Sequence, residues 1–184
     1  PRSAASRRVP LMICARQRPA GLLEPPVSHI DGAPTLCDLA GVSMEEVMPW
    51  AEGMSLVPMA NGVERTEPVA MEYAAEGSYS PVVCLRYGKW KYTRCTLDPD
   101  QLFDISTDPN ELNCLANVAK HQGTMEQLRA KSEARWDLVA FDAQVRASQA
   151  CRWVVYEALR NGDYYPWDHQ PLQKASERYM RNHM

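Results

Sequence analysis

The sequence predicts a mixed α/β fold: a small antiparallel sheet, then a long helix or helix pair, then an extended tail. Residues 81–85 and 90–95 alternate in hydrophobicity around Gly88, which is typical of a β-hairpin with glycine in its turn. Beyond Gly123 the apolar residues recur at helical spacing for about forty residues, and Gly162 is a stop signal. The chain is therefore expected to change from strand to helix near residue 123.

Composition and charge exclude two classes of protein. With 184 residues, 45% of them hydrophobic and 23% charged, the chain can form one globular domain with a core. Its longest apolar run, residues 9–15, is too short to span a bilayer. The net charge is −3 without a basic stripe, so a nucleic-acid binder is excluded as well. Residues 89–94 interleave bases with aromatic rings, but a strand with one solvated face is the simpler interpretation.

The first part of the chain predicts one strand, one short helix and a loop. Residues 9–15 are β-branched and apolar, which indicates a buried strand. Asp31 is the expected N-cap of a helix that contains Pro34 and closes at Gly41. Prolines and an Asn-Gly pair indicate a loop over residues 42–66.

The middle and end of the chain predict further strands and a divided helix. Strands are expected at 69–73 and 101–103. Asp108-Pro109 has the sequence of a helix start, with a capping residue before a first-turn proline. Asp137 is the residue expected to break the long C-terminal helical stretch in two.

The cysteines do not form a recognisable disulfide or zinc pattern. The six contain no C-x-x-C pair, and no histidine stands at zinc-finger spacing from any of them. We interpret them as free buried thiols in a reducing compartment. They are Cys14, Cys37, Cys84, Cys95, Cys114 and Cys151.

Two polar groupings have both a chemical and a structural interpretation. His29 and Asp31 resemble a base with its orienting carboxylate, but a capping role for Asp31 is the simpler explanation. Glu72 and Glu76, close to Tyr73, would suit a quaternary ammonium ion through charge attraction and cation–π contact. The alternative is an ordinary solvated loop with two glutamates.

The aromatic tail is too apolar to remain solvated. Tyr164, Tyr165 and Trp167 lie close together near the C-terminus. We expect them to pack on the chain's own core or on another subunit.

Several segments together resemble sulfatases, and the last of them resembles choline sulfatases in particular. The sulfatase-like segments are 27–41, 86–92, 101–104 and 108–112. The segments similar to the C-terminal extension of choline sulfatases are 146–149, 152–159, 165–168, 170–171 and 175–179.

This resemblance implies the C-terminal part of an alkaline-phosphatase-like α/β sulfatase that hydrolyses choline-O-sulfate. The formylglycine nucleophile and a divalent cation, commonly Ca²⁺, belong to an upstream region, so no catalytic or metal-binding residue is expected here and the chain alone is expected to be inactive. Glu72 matches a carboxylate of the choline pocket, with Tyr73 and Glu76 as lesser candidates. The tail would assemble a homo-oligomer and close over a neighbouring active site, in a cytoplasmic enzyme without nucleic-acid or membrane partners.

The resemblance also divides the chain. Residues 1–8 are an unmatched leader, 9–66 end the main α/β domain, 67–122 form a C-terminal subdomain with the hairpin, and 123–184 form the choline-sulfatase-type helices and tail. Two alternatives remain: another sulfatase or phosphonate-ester hydrolase, and a non-catalytic assembly module.

Overall fold

A computed structural model describes residues 10–15, 21–75 and 77–162. It contains the predicted mixed α/β fold, with one antiparallel sheet and two long helices after it. The strands are β1 (Val69–Tyr73), β2 (Val82–Tyr87), β3 (Trp90–Cys95) and β4 (Gln101–Asp104). The helices are α1 (Gly32–Ala40), α2 (Met44–Val47), α3 (Val57–Ala60), α4 (Gln122–Arg135) and α5 (Leu138–Arg160), with 3₁₀ turns at His29–Asp31 and Ala119–His121.

The sheet is a simple meander in which the strand order is β1-β2-β3-β4 and every neighbouring pair is antiparallel. The predicted hairpin is confirmed: β2 and β3 pair through Tyr87 and Trp90, and Gly88 takes a φ of 53° in the turn between them. Glycine adopts this left-handed conformation without a steric penalty. The predicted strands at 69–73 and 101–103 are confirmed as β1 and β4.

The core lies between one face of the sheet and α4. Because side chains alternate along a strand, the register places Val83, Leu85, Tyr92 and Leu102 on the same face, where all four are at most 1% exposed. Residues from α4 and from the start of α5 complete this cluster, namely Met125, Leu128, Trp136 and Leu138, together with Ala116.

The two long helices are separate elements, as predicted. Trp136 stands between them in an extended conformation, and the carboxylate of Asp137 accepts hydrogen bonds from the N–H groups of Val139 and Ala140, both at 3.0 Å. These bonds satisfy the otherwise unpaired donors of the first turn of α5. The helix ends before Asn161, as the sequence predicts.

Asp31 holds the segment before the sheet together. Its carboxylate is fully buried and accepts hydrogen bonds from the N–H groups of Ser28 and Met54, at 2.8 and 3.0 Å, and from Nη1 of Arg65 at 2.7 Å. Helix α1 begins directly after it and ends at Gly41, as predicted. The predicted capping of α1 by the side chain of Asp31 is wrong: Asp31 stands at the N-cap position, but its carboxylate accepts from Ser28, Met54 and Arg65 and not from the first turn of α1. His29 is exposed.

Three predictions of secondary structure are wrong. Residues 10–15 form no strand and are largely exposed, because no described strand runs beside them to complete a ladder. The predicted loop over 42–66 contains α2 and α3, with Pro58 in the first turn of α3, where its missing N–H costs nothing. No helix follows Asp108: its carboxylate accepts the N–H groups of Leu112 and Asn113 and closes a turn instead.

Two predictions of burial are also wrong. No disulfide joins the six cysteines, but Cys84 alone is buried, since Cys14, Cys114 and Cys151 lie in exposed loop or helix positions. Strand β3 has no solvated face: Lys91, Tyr92 and Thr93 are all at most 3% exposed. Lys91 can be buried because its ammonium group forms an ion pair with the carboxylate of Glu111.

The chain divides into two compact units, Pro1–Asp142 and Ala143–Met184. The second unit is described up to residue 162 and consists there of the greater part of α5. It exposes a group of large apolar side chains: Trp153, Val154, Val155, Tyr156 and Leu159. None of the helices in the described ranges is both long and apolar enough to cross a membrane.

Removing one member of the buried ion pair should destabilise the protein strongly. The side chains of Lys91 and Glu111 are 3% and 7% exposed, so Lys91→Met leaves a carboxylate buried without its counter-charge. We expect the free energy of unfolding to fall by about 3–5 kcal/mol in urea titrations. The double variant Lys91→Met/Glu111→Gln should recover part of this loss; a double variant as unstable as the sum of both singles would contradict the pairing.

Asp104 should contribute a stability that depends on pH. Burial raises the pKa of its carboxyl, but Lys89 and the hydroxyl and N–H groups of Ser106 outweigh that effect and lower it to about 2. A pKa depressed from an ordinary 3.8 stabilises the fold above that value and loses the effect as pH falls towards 2.

Asp104→Asn should therefore reduce the free energy of unfolding by about 1 kcal/mol at pH 7, a modest value because Lys89 is half exposed. The difference between the two proteins should shrink between pH 4 and pH 2. Urea unfolding at pH 7 and pH 3 measures it, and an unchanged difference at the lower pH would show that the charge of Asp104 is not responsible.

Candidate functional site

Glu72 lies on an edge strand of the sheet, one residue before the end of β1. The register pairs it with Val83, so its side chain belongs to the face that α4 covers. Because β1 has no further strand beside it in the described part of the chain, this carboxylate remains exposed while its backbone is held by the sheet.

The carboxylate of Glu72 is fixed by a tryptophan from the break between the two long helices. Nε1 of Trp136 donates a hydrogen bond of 2.7 Å to Oε1 of Glu72. This length is typical of a hydrogen bond to a charged acceptor. Among the described residues, Trp136 is the only donor of a hydrogen bond to the carboxylate oxygens of Glu72.

Trp136 itself is held rigidly. Its side chain is part of the core cluster, the residue is 8% exposed, and its backbone N–H donates to the carbonyl of Ser132 at 2.9 Å. The guanidinium carbon of Arg135 lies 5.4 Å from the centre of the indole ring, within the range of a cation–π contact, and Arg135 also pairs with Glu52.

A cavity of about 270 Å³ lies beside this edge of the sheet. Glu72 lines it together with four residues of β1 and β2 that share the opposite face of the sheet: Met71, Tyr73, Val82 and Cys84. Tyr73, a predicted companion of Glu72, is half-buried there. The structure thus places both residues at one cavity, although successive strand side chains point to opposite faces.

Four predicted site residues lie outside the described part of the chain. They are Glu76, Tyr164, Tyr165 and Trp167. Their roles remain predictions.

Sequence reasoning missed Trp136. It is separated from Glu72 by 64 residues, so no local pattern could join the two. The available signal was an aromatic residue directly before Asp137, at the predicted break between two helices.

The described residues do not fit a metal site. Within them, no three His, Cys, Asp or Glu side chains come together in a group that could hold a cation. We therefore derive no metal-dependent step from this chain.

Two sequence families match the chain on either side of the division between its units. The family described as N-sulphoglucosamine sulphohydrolase, C-terminal, matches residues 3–136. The chain belongs to this family. A second family, described as choline sulfatase enzyme C terminal, matches residues 143–184. The predicted resemblance to the C-terminal part of the sulfatase fold and to choline sulfatases is confirmed.

Individual relatives agree with this assignment. A choline-sulfatase of Rhizobium meliloti is 64% identical over 97% of this chain, and an uncharacterized sulfatase of Escherichia coli, YidJ, is 32% identical over 59%. The crystal structure of Ps i-CgsB superposes with a TM-score of 0.50 at 25% identity, over 62% of this chain and 25% of that one. The chain spans 36% of the Rhizobium relative and 22% of the Escherichia relative.

The domain boundaries expected after residues 8, 66 and 122 remain predictions, since neither family match begins or ends at those positions.

Proposed function

We propose that this chain forms the C-terminal part of an enzyme that hydrolyses choline-O-sulfate to choline and sulfate, and that Glu72 binds the trimethylammonium group of the substrate. The 64% identity to a choline-sulfatase supports this substrate over those of other sulfatases, because the remaining curated relatives are only 30–32% identical. The observation that carries the role of Glu72 is that its exposed carboxylate is held by a neutral donor, the indole N–H of Trp136.

A trimethylammonium group has no N–H to donate, so charge and aromatic surfaces are what recognise it. Trp136 holds the carboxylate of Glu72 without neutralising it. Asp31 and Glu67, by contrast, are paired with the cations of Arg65 and Lys131. No cation among the described residues therefore pairs with the carboxylate of Glu72, whereas those of Asp31 and Glu67 each have one. Tyr73 lines the same cavity and supplies an aromatic ring, and Glu76 follows three residues later.

Cleavage of the sulfate ester is assigned to residues outside this sequence. A formylglycine nucleophile and a divalent cation, Ca²⁺ by the resemblance, supply that chemistry in the parent enzyme. Within the described ranges, no three His, Cys, Asp or Glu side chains come together to hold such a cation. The chain alone is expected to be inactive.

The proposal extends to location and assembly. Six cysteines that form no disulfide, three of them exposed, support a reducing compartment such as the cytoplasm. The exposed apolar side chains between Trp153 and Leu159 support a homo-oligomer in which the tail residues Tyr164, Tyr165 and Trp167 take part.

Replacing Glu72 tests the substrate. In the full-length enzyme, Glu72→Gln removes the charge and keeps the shape, so we expect the KM for choline-O-sulfate to rise by about 10-fold or more, as for the loss of one desolvated ion contact. The KM for a neutral aryl sulfate should change less than twofold. Steady-state kinetics with both substrates measure the two values.

Glu67→Gln is the matched control, because it removes the same charge from a position five residues earlier. Its carboxylate lies 3.3 Å from the ammonium group of Lys131 and is largely exposed. It should leave both KM values unchanged. Equal effects of Glu72→Gln on the two substrates would contradict a choline-binding role.

Removing residues 163–184 tests the tail. If the tail assembles the oligomer, the truncated enzyme should elute at a smaller mass than the complete enzyme in size-exclusion chromatography with light scattering. An unchanged mass would contradict the assembly role.

A further inference from the structure

We propose that Trp136 is a positioning residue for choline binding: its indole N–H holds the carboxylate of Glu72 in the orientation that receives the trimethylammonium group. This inference rests on the proposed function, since it assigns a role to Trp136 only through Glu72. The two residues are 64 positions apart in the first unit and meet at the 2.7 Å hydrogen bond between Nε1 and Oε1.

Glu72 needs such a partner because of its location. A glutamate side chain has several rotatable bonds, and ordering it has an entropic cost. On an exposed edge strand, the packing around Glu72 is not enough to select one rotamer. A carboxylate ordered before the ligand arrives loses less freedom on binding, which increases affinity.

Trp136 has the rigidity that Glu72 lacks. It is 8% exposed and belongs to the cluster formed with Leu128 and Leu138, and its backbone N–H donates to Ser132. The N–H of the indole is thus presented from a fixed point of the core. Since it occupies Oε1, the other oxygen and the full negative charge remain for a ligand.

The indole ring is not the group that contacts the cation. Arg135 already lies over the ring at 5.4 Å, and little of the side chain is accessible. A direct cation–π role for Trp136 would require an accessible face, so the geometry favours the N–H as the functional group.

Choline binding can be measured separately from turnover of its sulfate ester. The inhibition constant of choline is determined in the full-length enzyme with a neutral aryl sulfate as the reporter substrate. We expect Trp136→Phe to raise this constant by about three- to tenfold, as for a weakened hydrogen-bonded contact, and to change it by a larger factor than the KM for the aryl sulfate. Trp90→Phe is the matched control, because it removes an indole that packs against the same cluster but makes an edge-to-face contact with His121 and none with Glu72; it should leave the constant unchanged.

A double-mutant cycle decides whether Trp136 acts through Glu72. In the Glu72→Gln background, Trp136→Phe should add less than twofold to the inhibition constant. If it adds its full effect there, or has no effect in the wild-type background, the inference is overturned. If Glu72→Gln itself leaves choline binding unchanged, the proposed function fails instead, so the two failures are distinguishable.

A second replacement at position 136 tests the same hydrogen bond if Trp136→Phe does not fold. If Trp136→Phe does not fold, 3-benzothienylalanine introduced at position 136 keeps the size and shape of the indole and removes only its N–H. It should raise the inhibition constant to the same extent; a constant equal to that of the wild type would overturn the positioning role.

Discussion

The packing of α4 against one face of the sheet is the contact on which the first unit depends. A four-stranded antiparallel meander needs a covered apolar face to be stable. Leu128 of α4 and Leu85 and Tyr92 of the sheet are each at most 1% exposed, and burying such a side chain contributes about 1.5–3 kcal/mol. Helix α4 therefore covers the apolar face of the sheet, which would be unfavourable if exposed to water.

A polar contact fixes the register of this packing. The hydroxyl of Tyr92 donates to Asp100 at 2.6 Å, and Arg129 of α4 donates to the same carboxylate oxygen at 2.9 Å. Burial, and then the charge and hydrogen bond of Asp100, raise the pKa of Tyr92 above its usual value. The hydroxyl keeps its proton into the alkaline range, and the contribution of this bond to stability is lost only as pH rises through the raised pKa. These hydrogen bonds join α4 to the sheet at a defined position, and they thereby fix where the C-terminal end of α4 lies on the sheet.

Local patterns predicted most of this unit, and contacts distant in sequence explain the failures. Gly88 predicted the hairpin and Asp137 the helix break, because each acts within a few residues of itself. The sequence predicted that Lys91 is exposed to water. Its partner Glu111 is 20 residues away, and the alternation of residues along a strand cannot indicate such a distant ion pair. Glu72 was identified by its charge near Tyr73 and by family resemblance, but its anchor Trp136 could not be, because only the folded chain brings them together.

The break between the helices connects the core to the candidate site. The backbone of Trp136 is extended, with φ −131° and ψ 125°, although its N–H still donates to Ser132 in the manner of a helix. The indole of this extended residue lies in the core cluster, and its N–H reaches the edge strand. One carboxylate oxygen of Asp137 then accepts from the first turn of α5, so the interruption leaves no unpaired donors at Val139 and Ala140. The interruption between α4 and α5 and the hydrogen bond that orders Glu72 thus involve the same two residues, and a change in the register of α4 would disturb both.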